Sequence, residues 1–160
     1  MTKTIKGIIA GVGVTFIMSA LILVKTAMHI LPGIDAVLIF TNISQIYFGT
    51  GANTAYGWAL FFAISGVLYG ALFGGLERLW PGRTDLTKGL WFGFFVWLVA
   101  MLVFAPLAGF GWFAFNYSIQ APILSLVGHL LYGAVLGVFY AWLNQERPLQ
   151  IKEPYLHSPS

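Results

Sequence analysis

Long apolar stretches alternate with short polar or glycine- and proline-containing breaks along the whole chain. Four of these stretches are long enough to cross a bilayer, because about 20 apolar residues in a helix span the hydrocarbon core. A fifth run, residues 36–48, is too short to span and predicts an interfacial or re-entrant helix. We therefore predict an all-α membrane protein, a four-helix bundle with spans at residues 5–30, 54–79, 86–108 and 122–143.

Helix-breaking residues mark most ends of these stretches. Pro32-Gly33 and Pro81-Gly82 follow the first and second spans, Pro106 lies near the end of the third, and Pro122 fits the first turn of the fourth. Residues 1–144 are thus predicted to form one transmembrane domain. Residues 145–160 carry three prolines and mixed charges, which predicts a disordered polar tail.

The first stretch also has the basic start of a signal peptide. Its apolar part, residues 7–24, is longer than the ~7–15 residues of a signal core, and no small-x-small cleavage site follows it. We interpret it as a retained span.

Composition and charge agree with a membrane location. Only 8% of the residues are charged and 59% are hydrophobic, whereas soluble domains average about 25% charged residues. The basic residues gather at one end of the four spans, so we read the net charge of +3 as a topology signal and not as a nucleic-acid footprint. By the positive-inside rule this end, with both termini, faces the cytoplasm. Its basic residues are Lys3, Lys6, Arg78, Arg83, Lys88, Arg147 and Lys152, against Lys25 alone at the other end.

An internal repeat is visible in the even-numbered spans. When Tyr69 is set on Tyr132, residues 67–79 match the fourth span at neighbouring Leu, Gly and Ala positions, and the Lys6-Gly7 start resembles Lys88-Gly89. The pattern predicts two related hairpins in a parallel-repeat arrangement. Spaced glycines run along these spans and predict faces where helices approach closely inside the bundle, or contact a second copy or another membrane protein. They are Gly7, Gly11, Gly66, Gly70, Gly74, Gly89, Gly93, Gly133 and Gly137.

Few residues in the spans could act chemically. At ~1.5 Å per helical residue, His129, Ser19 and Ser65 all lie roughly 18–22 Å from the basic end, with Tyr132 about one turn nearer that end than His129. We predict that His129 points inward and bonds a serine or a backbone carbonyl. It either binds a ligand in a pocket lined by these four residues or only fastens two helices.

No catalytic or metal site is assigned. The nucleotide, protease, hydrolase and c-type haem motifs are absent, there is no cysteine, and the only acidic residue of the spans is Glu77, at the end of the second. A haem held by His29 and His129 remains an alternative, but His29 lies about 12 Å nearer the other surface. We therefore assign no cofactor.

Three further side-chain arrangements are predicted. Lys25 snorkels at the outer boundary and can pair with Asp35 across the Pro32-Gly33 turn. Trp97, in mid-membrane, needs an acceptor for its N–H, and Thr15 is the candidate. The charges at the basic end, namely Glu77, Arg78, Asp85 and Lys88, are expected to be solvated.

Three apolar motifs carry a resemblance to a known group of proteins. They are the Lys-Gly-x-x-x-Gly start, Phe104-Ala105-Pro106-Leu107-Ala108-Gly109, and the run that begins at His129. The chain resembles small four-helix bacterial inner-membrane proteins of unknown function, in the neighbourhood of the YagU-like proteins. The resemblance implies a compact bundle in a bacterial cytoplasmic membrane, and it supplies no activity.

The sequence thus favours a non-enzymatic structural or accessory component of the membrane. The alternative is a protein that binds a haem, a quinone or a lipid near His129. Passage of a small solute through the polar layer is a third hypothesis.

Overall fold

The computed structural model describes residues 1–28 and 34–144, and the regular elements of these residues are helical. Four long apolar helices and one shorter apolar helix are present, which confirms the predicted fold class. By helix length and hydropathy the chain is a multi-pass membrane protein. The helices are α1 Lys3–Met28, α2 Ala36–Phe48, α3 Thr54–Gly75, α4 Asp85–Leu107 and α5 Ala121–Asn144, with a short 3₁₀ turn at Trp112–Ala114.

Local capping explains where three of the helices begin. The side chain of Asp35 accepts a hydrogen bond from the backbone N–H of Leu38 at the start of α2, and Asn53 caps α3 in the same way. Thr84 and Thr87 form a reciprocal capping box at the start of α4. Such caps satisfy backbone N–H groups that have no partner inside the helix.

The ends of the helices differ in part from the prediction. The α-helical part of α3 ends at Gly75, because Leu76 leaves the helical conformation (φ −105°, ψ 19°), so the predicted end at residue 79 is four residues late. Helix α4 ends at Leu107, directly after Pro106, as predicted. The predicted stop at Pro32-Gly33 and the predicted tail at residues 145–160 lie outside the described residues.

The bundle is built from two antiparallel helix pairs, α1 with α3 and α4 with α5. In the first pair the backbones of Gly7 and Gly74 lie so close that a Cβ on Gly7 would sit 2.9 Å from the Cα of Gly74. In the second pair a Cβ on Gly133 would sit 2.9 Å from the Cα of Gly93. Real Cβ contacts are never this short, so glycine is required at these crossings.

All nine glycines singled out in the sequence face a neighbouring helix of the same chain. Equivalent positions of the proposed repeat make equivalent contacts, since Gly7 meets Gly70 and Gly74 while Gly89 meets Gly133 and Gly137. The repeat itself stays a prediction. Because these faces are occupied within the chain, they are not available to a second copy or another protein.

The short helix α2 lies over one end of the bundle. Thr41 and Val37 pack against Gly57 of α3, and the ring of Phe40 meets that of Phe104 on α4 with centroids 5.3 Å apart. We call this the α2 end. The opposite end, which carries Lys3, Glu77, Asp85 and Lys88, is called the charged end. Whether α2 lies at a membrane interface stays a prediction.

Candidate functional site

A cavity of about 450 Å³ lies inside the half of the bundle nearest α2. All five helices contribute to its wall, which is mostly apolar. Met18, Phe61, Ala100 and Phe104 are typical wall residues. Its volume falls within the ~300–1,000 Å³ range of small-molecule sites.

The cavity opens sideways, between α1 and α5. Lining residues at this edge are exposed, with Leu21 47%, Val127 62% and Leu131 45% accessible. These side chains are apolar and belong to helices that are long enough to span a membrane. The opening therefore faces the region that lipid chains occupy when the helices cross a bilayer.

An ion pair lines the cavity toward the α2 end. The Nζ atom of Lys25 lies 3.3 Å from Oδ2 of Asp35, and each side chain is less than one-fifth exposed, which confirms the predicted pair. Lys25 also donates to the carbonyl of Ile34 at 3.2 Å. Because Asp35 caps α2 at the same time, the pair ties the end of α1 to the start of α2.

His129 lies in the wall on α5 and makes its hydrogen bonds within its own helix. Its Nδ1 is 2.7 Å from the carbonyl oxygen of Ser125 and 3.3 Å from the Ser125 hydroxyl. The predicted bond to a serine or a backbone carbonyl is therefore present. This bond lies within α5, so His129 fastens no second helix by a hydrogen bond in residues 1–28 and 34–144.

Tyr132, one turn along, makes the interhelical bond instead. At the end of the π-helical segment Phe62–Leu68 of α3, the backbone N–H of Tyr69 donates to the carbonyl of Ile64, five residues earlier. In an α-helix the N–H of Tyr69 would donate to the carbonyl of Ser65, four residues earlier. Here that carbonyl accepts a hydrogen bond from the hydroxyl of Tyr132 instead. A buried hydrogen bond thus joins α5 to α3 where the backbone pattern changes.

A second π-helical segment, Ala100–Phe104, interrupts α4 just before Pro106. Both segments border the cavity, since Phe61 and Tyr69 flank the first while Ala100 and Phe104 end the second. Single π-turns inside α-helices are frequent at functional sites. A π-turn rotates the side chains that follow it around the helix axis. In this protein both π-turns lie beside the cavity.

The predicted group of His129, Ser19, Ser65 and Tyr132 is divided in the structure. His129 and Tyr132 line the cavity, whereas the two serines are buried outside its lining. Ser19 donates to the carbonyl of Thr15 on its own helix at 2.7 Å. Ser65 meets Tyr132 only through its backbone carbonyl in the bond described above.

The predicted partner of Trp97 is wrong. Its Nε1 donates to the carbonyl of Pro122 on α5 at 3.0 Å, and Thr15 donates to Gly11 of its own helix. The reason is the helix pairing, since α4 packs against α5. A threonine inside a helix also commonly bonds the carbonyl four residues back.

The prediction that Glu77 is solvated is also wrong. Its carboxylate is the centre of a network of ion pairs and a hydrogen bond at the charged end. It lies 2.7 Å from Lys3 and 3.2 Å from Lys88, and it accepts the hydroxyl of Tyr140 at 3.0 Å. Burial raises the pKa of Glu77, but the bonds from these three partners lower it by more, so the pKa lies below its ordinary value. The network joins α1, α4 and α5 to the end of α3.

Residues 1–28 and 34–144 contain no obvious set of metal ligands. No group of three or more His, Cys, Asp or Glu side chains there is placed to hold a metal ion. His29, the second ligand of the haem alternative, lies outside these residues.

The helices and the cavity together define a class: a multi-pass helical membrane protein with a laterally open apolar cavity. The sequence profile of a family of unknown function (DUF6789) matches residues 1–151, and the chain belongs to this family. No curated protein and no solved structure matches the chain significantly. The likeness to YagU-like proteins stays a prediction.

Proposed function

We propose that this protein is a non-enzymatic membrane protein that holds a lipid-soluble molecule in the lateral cavity. The single observation that carries the proposal is the apolar space of about 450 Å³ inside the span region. An apolar molecule that enters this space from the membrane gains packing contacts with its wall.

The route of entry supports the same conclusion. Leu21, Val127 and Leu131 give the mouth an apolar and exposed edge between α1 and α5. A molecule dissolved in the bilayer reaches this mouth without crossing water. A water-soluble ligand would have to leave its hydration shell first, and that is costly for polar groups.

A catalytic role lacks the groups it needs in the described part of the cavity. Asp35 is bound by Lys25, and His129 bonds Ser125 rather than a carboxylate. Passage of a small polar solute loses its support too, because the polar layer predicted from Ser19 and Ser65 is not part of the cavity lining. An accessory role that depends on contacts between the glycine faces and another protein loses its support, because these faces are occupied within the chain.

The proposal places the charged end on the cytoplasmic side of a bacterial inner membrane. The sequence predicts seven of the eight basic residues on this side of the membrane, and basic residues are enriched in cytoplasmic segments. The cavity, near the α2 end, then opens into the outer leaflet.

The test compares the molecules that co-purify with two pairs of variants. Leu21→Trp with Leu124→Trp enlarges two lining residues, one on each of the two helices that flank the mouth. Val24→Trp with Val138→Trp makes the same changes at exposed positions of the same helices outside the lining. Mass spectrometry of extracts should find an apolar molecule near one per protein in the wild type and in the control pair, and far less in the mouth pair.

Absorption spectra of the same samples identify a coloured ligand. A Soret band that disappears in the mouth pair would name the ligand as haem. The same mixture of membrane lipids at equal amounts in all three proteins would refute a binding role for the cavity.

A further inference from the structure

We infer that the molecule in the cavity carries a hydroxyl group that donates a hydrogen bond to Nε2 of His129. This inference rests on the proposed function, and it defines the chemical class of the ligand: an apolar molecule with one hydroxyl at the level of this side chain. The argument depends on the tautomer of the ring, on what Nε2 contacts, and on the other polar groups of the wall.

The contacts of Nδ1 determine the tautomer of the imidazole ring. Nδ1 lies 2.7 Å from the carbonyl oxygen of Ser125, and a carbonyl oxygen can only accept, so the proton of this bond belongs to Nδ1. A neutral imidazole has one donor and one acceptor nitrogen. An apolar wall favours the neutral ring, because an unpaired charge is costly there. Nε2 is therefore an acceptor.

This acceptor has no partner in the described part of the chain. The hydrogen bonds of His129 there are both made by Nδ1, to Ser125. Nε2 is not among the fully buried side-chain N and O atoms of these residues that lack a partner, so it keeps some accessible surface. Because His129 is a lining residue of the cavity, we take this surface to face the cavity.

An unpartnered acceptor in an apolar wall selects for a donor. A ligand hydroxyl gains a hydrogen bond there, whereas an ether or a carbonyl oxygen has no proton to give and meets a second lone pair. Among the other polar groups of the wall, Tyr132 bonds Ser65, Lys25 pairs with Asp35 at the α2 end, and the Ser125 hydroxyl lies 3.3 Å from Nδ1 of the same ring. Long-chain alcohols and alkylated phenols share this chemistry.

The experiment measures the binding of matched probes to the purified protein in nanodiscs. Decylphenol and hexadecanol are each compared with their own methyl ether, which keeps the apolar body and removes the donor. We expect each hydroxyl form to bind about tenfold more tightly than its ether. His129→Phe keeps a flat ring and removes the acceptor, so the ratio should fall to about one.

The outcomes separate this inference from the proposed function. Equal binding of hydroxyl and ether to the wild type overturns the inference and leaves a cavity that binds apolar molecules. Discrimination that survives His129→Phe also overturns it, because size and not the acceptor would then explain the ratio. If none of the four probes binds, both proposals fail. Discrimination for only one hydroxyl probe supports the inference and identifies the ligand as a phenol or an aliphatic alcohol.

A measurement on the unaltered chain guards against misfolding of the variant. The chain has three histidines, and ¹⁵N NMR of histidine-labelled protein reports which ring nitrogen carries the proton. We expect an unprotonated Nε2 at His129 whose signal shifts when decylphenol is added and stays unchanged with the ether. A proton on Nε2 in the ligand-free protein would overturn the inference.

Discussion

Gly133→Ala is expected to lower the stability of the protein strongly, whereas Gly128→Ala on the same helix leaves it unchanged or slightly raised. A methyl group at Gly133 would lie 2.9 Å from both the N and the Cα of Gly93, and closer still to the carbonyl of Gly89. These are backbone atoms that no rotamer change can move, so α4 and α5 must separate. Overpacking of this kind costs about 1–3 kcal/mol or more.

Gly128 provides the matched control five residues earlier. A Cβ there meets nothing within 4 Å, and alanine has a higher helix propensity than glycine by up to about 1 kcal/mol. Thermal unfolding in detergent, followed by circular dichroism, measures both variants. Equal melting temperatures for Gly133→Ala and Gly128→Ala would show that the α4–α5 crossing is not as close as described.

Glu77→Gln is expected to destabilise the protein by about 1–3 kcal/mol at neutral pH, because Lys88 and Lys3 lose a charged partner. Asp85→Asn removes a charge of the same sign at the same end. Its carboxylate makes a single, longer contact of 3.6 Å to Lys88, so this control should cost less than about 1 kcal/mol. Chemical unfolding of the two variants in the same detergent gives the comparison.

The effect of Glu77 depends on pH in a defined direction. The pKa of its carboxyl lies below the ordinary value of 4.5 in the folded protein. Its contribution to stability is therefore fully present above pH 4.5 and is lost as the pH falls from there through the folded pKa. The difference in melting temperature between wild type and Glu77→Gln should shrink below pH 4.5. A difference that stays constant down to strongly acidic pH would argue against an ionised, bonded Glu77.

The spans and close helix crossings follow from local properties of the sequence. Hydropathy determines which segments can cross a membrane, and the spacing of Gly7 with Gly11 or Gly89 with Gly93 places small residues on one helix face. The pair of Lys25 and Asp35 was also predictable, because the two opposite charges lie ten residues apart on either side of the predicted Pro32-Gly33 stop. In each case neighbours along the chain carry the information.

The partners of Trp97 and Glu77 could not be found in this way. Trp97 bonds Pro122 because α4 packs against α5, and depth along a helix does not tell which helix is adjacent. Glu77 stands beside Arg78 and shares the basic end with Lys3 and Lys88, a signal that could have suggested its network. The cavity is harder still, since it results from the combined shapes of side chains on five helices and from two π-helical segments. Pro106, which follows the second of these segments, is the one sequence feature that marks its position.

Carbene labelling of the wild-type protein in native membranes tests the central claim, that the cavity is open to the lipid phase. An apolar diazirine dissolved in the bilayer is photolysed, and labelled residues are mapped by tandem mass spectrometry. Met18, Phe61 and Tyr69 line the cavity although each is less than one-tenth exposed, and we expect all three to be labelled. Val14, Phe73 and Leu136 are completely buried outside its lining and serve as controls. Label confined to exposed outward-facing residues, with Met18, Phe61 and Tyr69 as unreactive as these controls, would contradict the account.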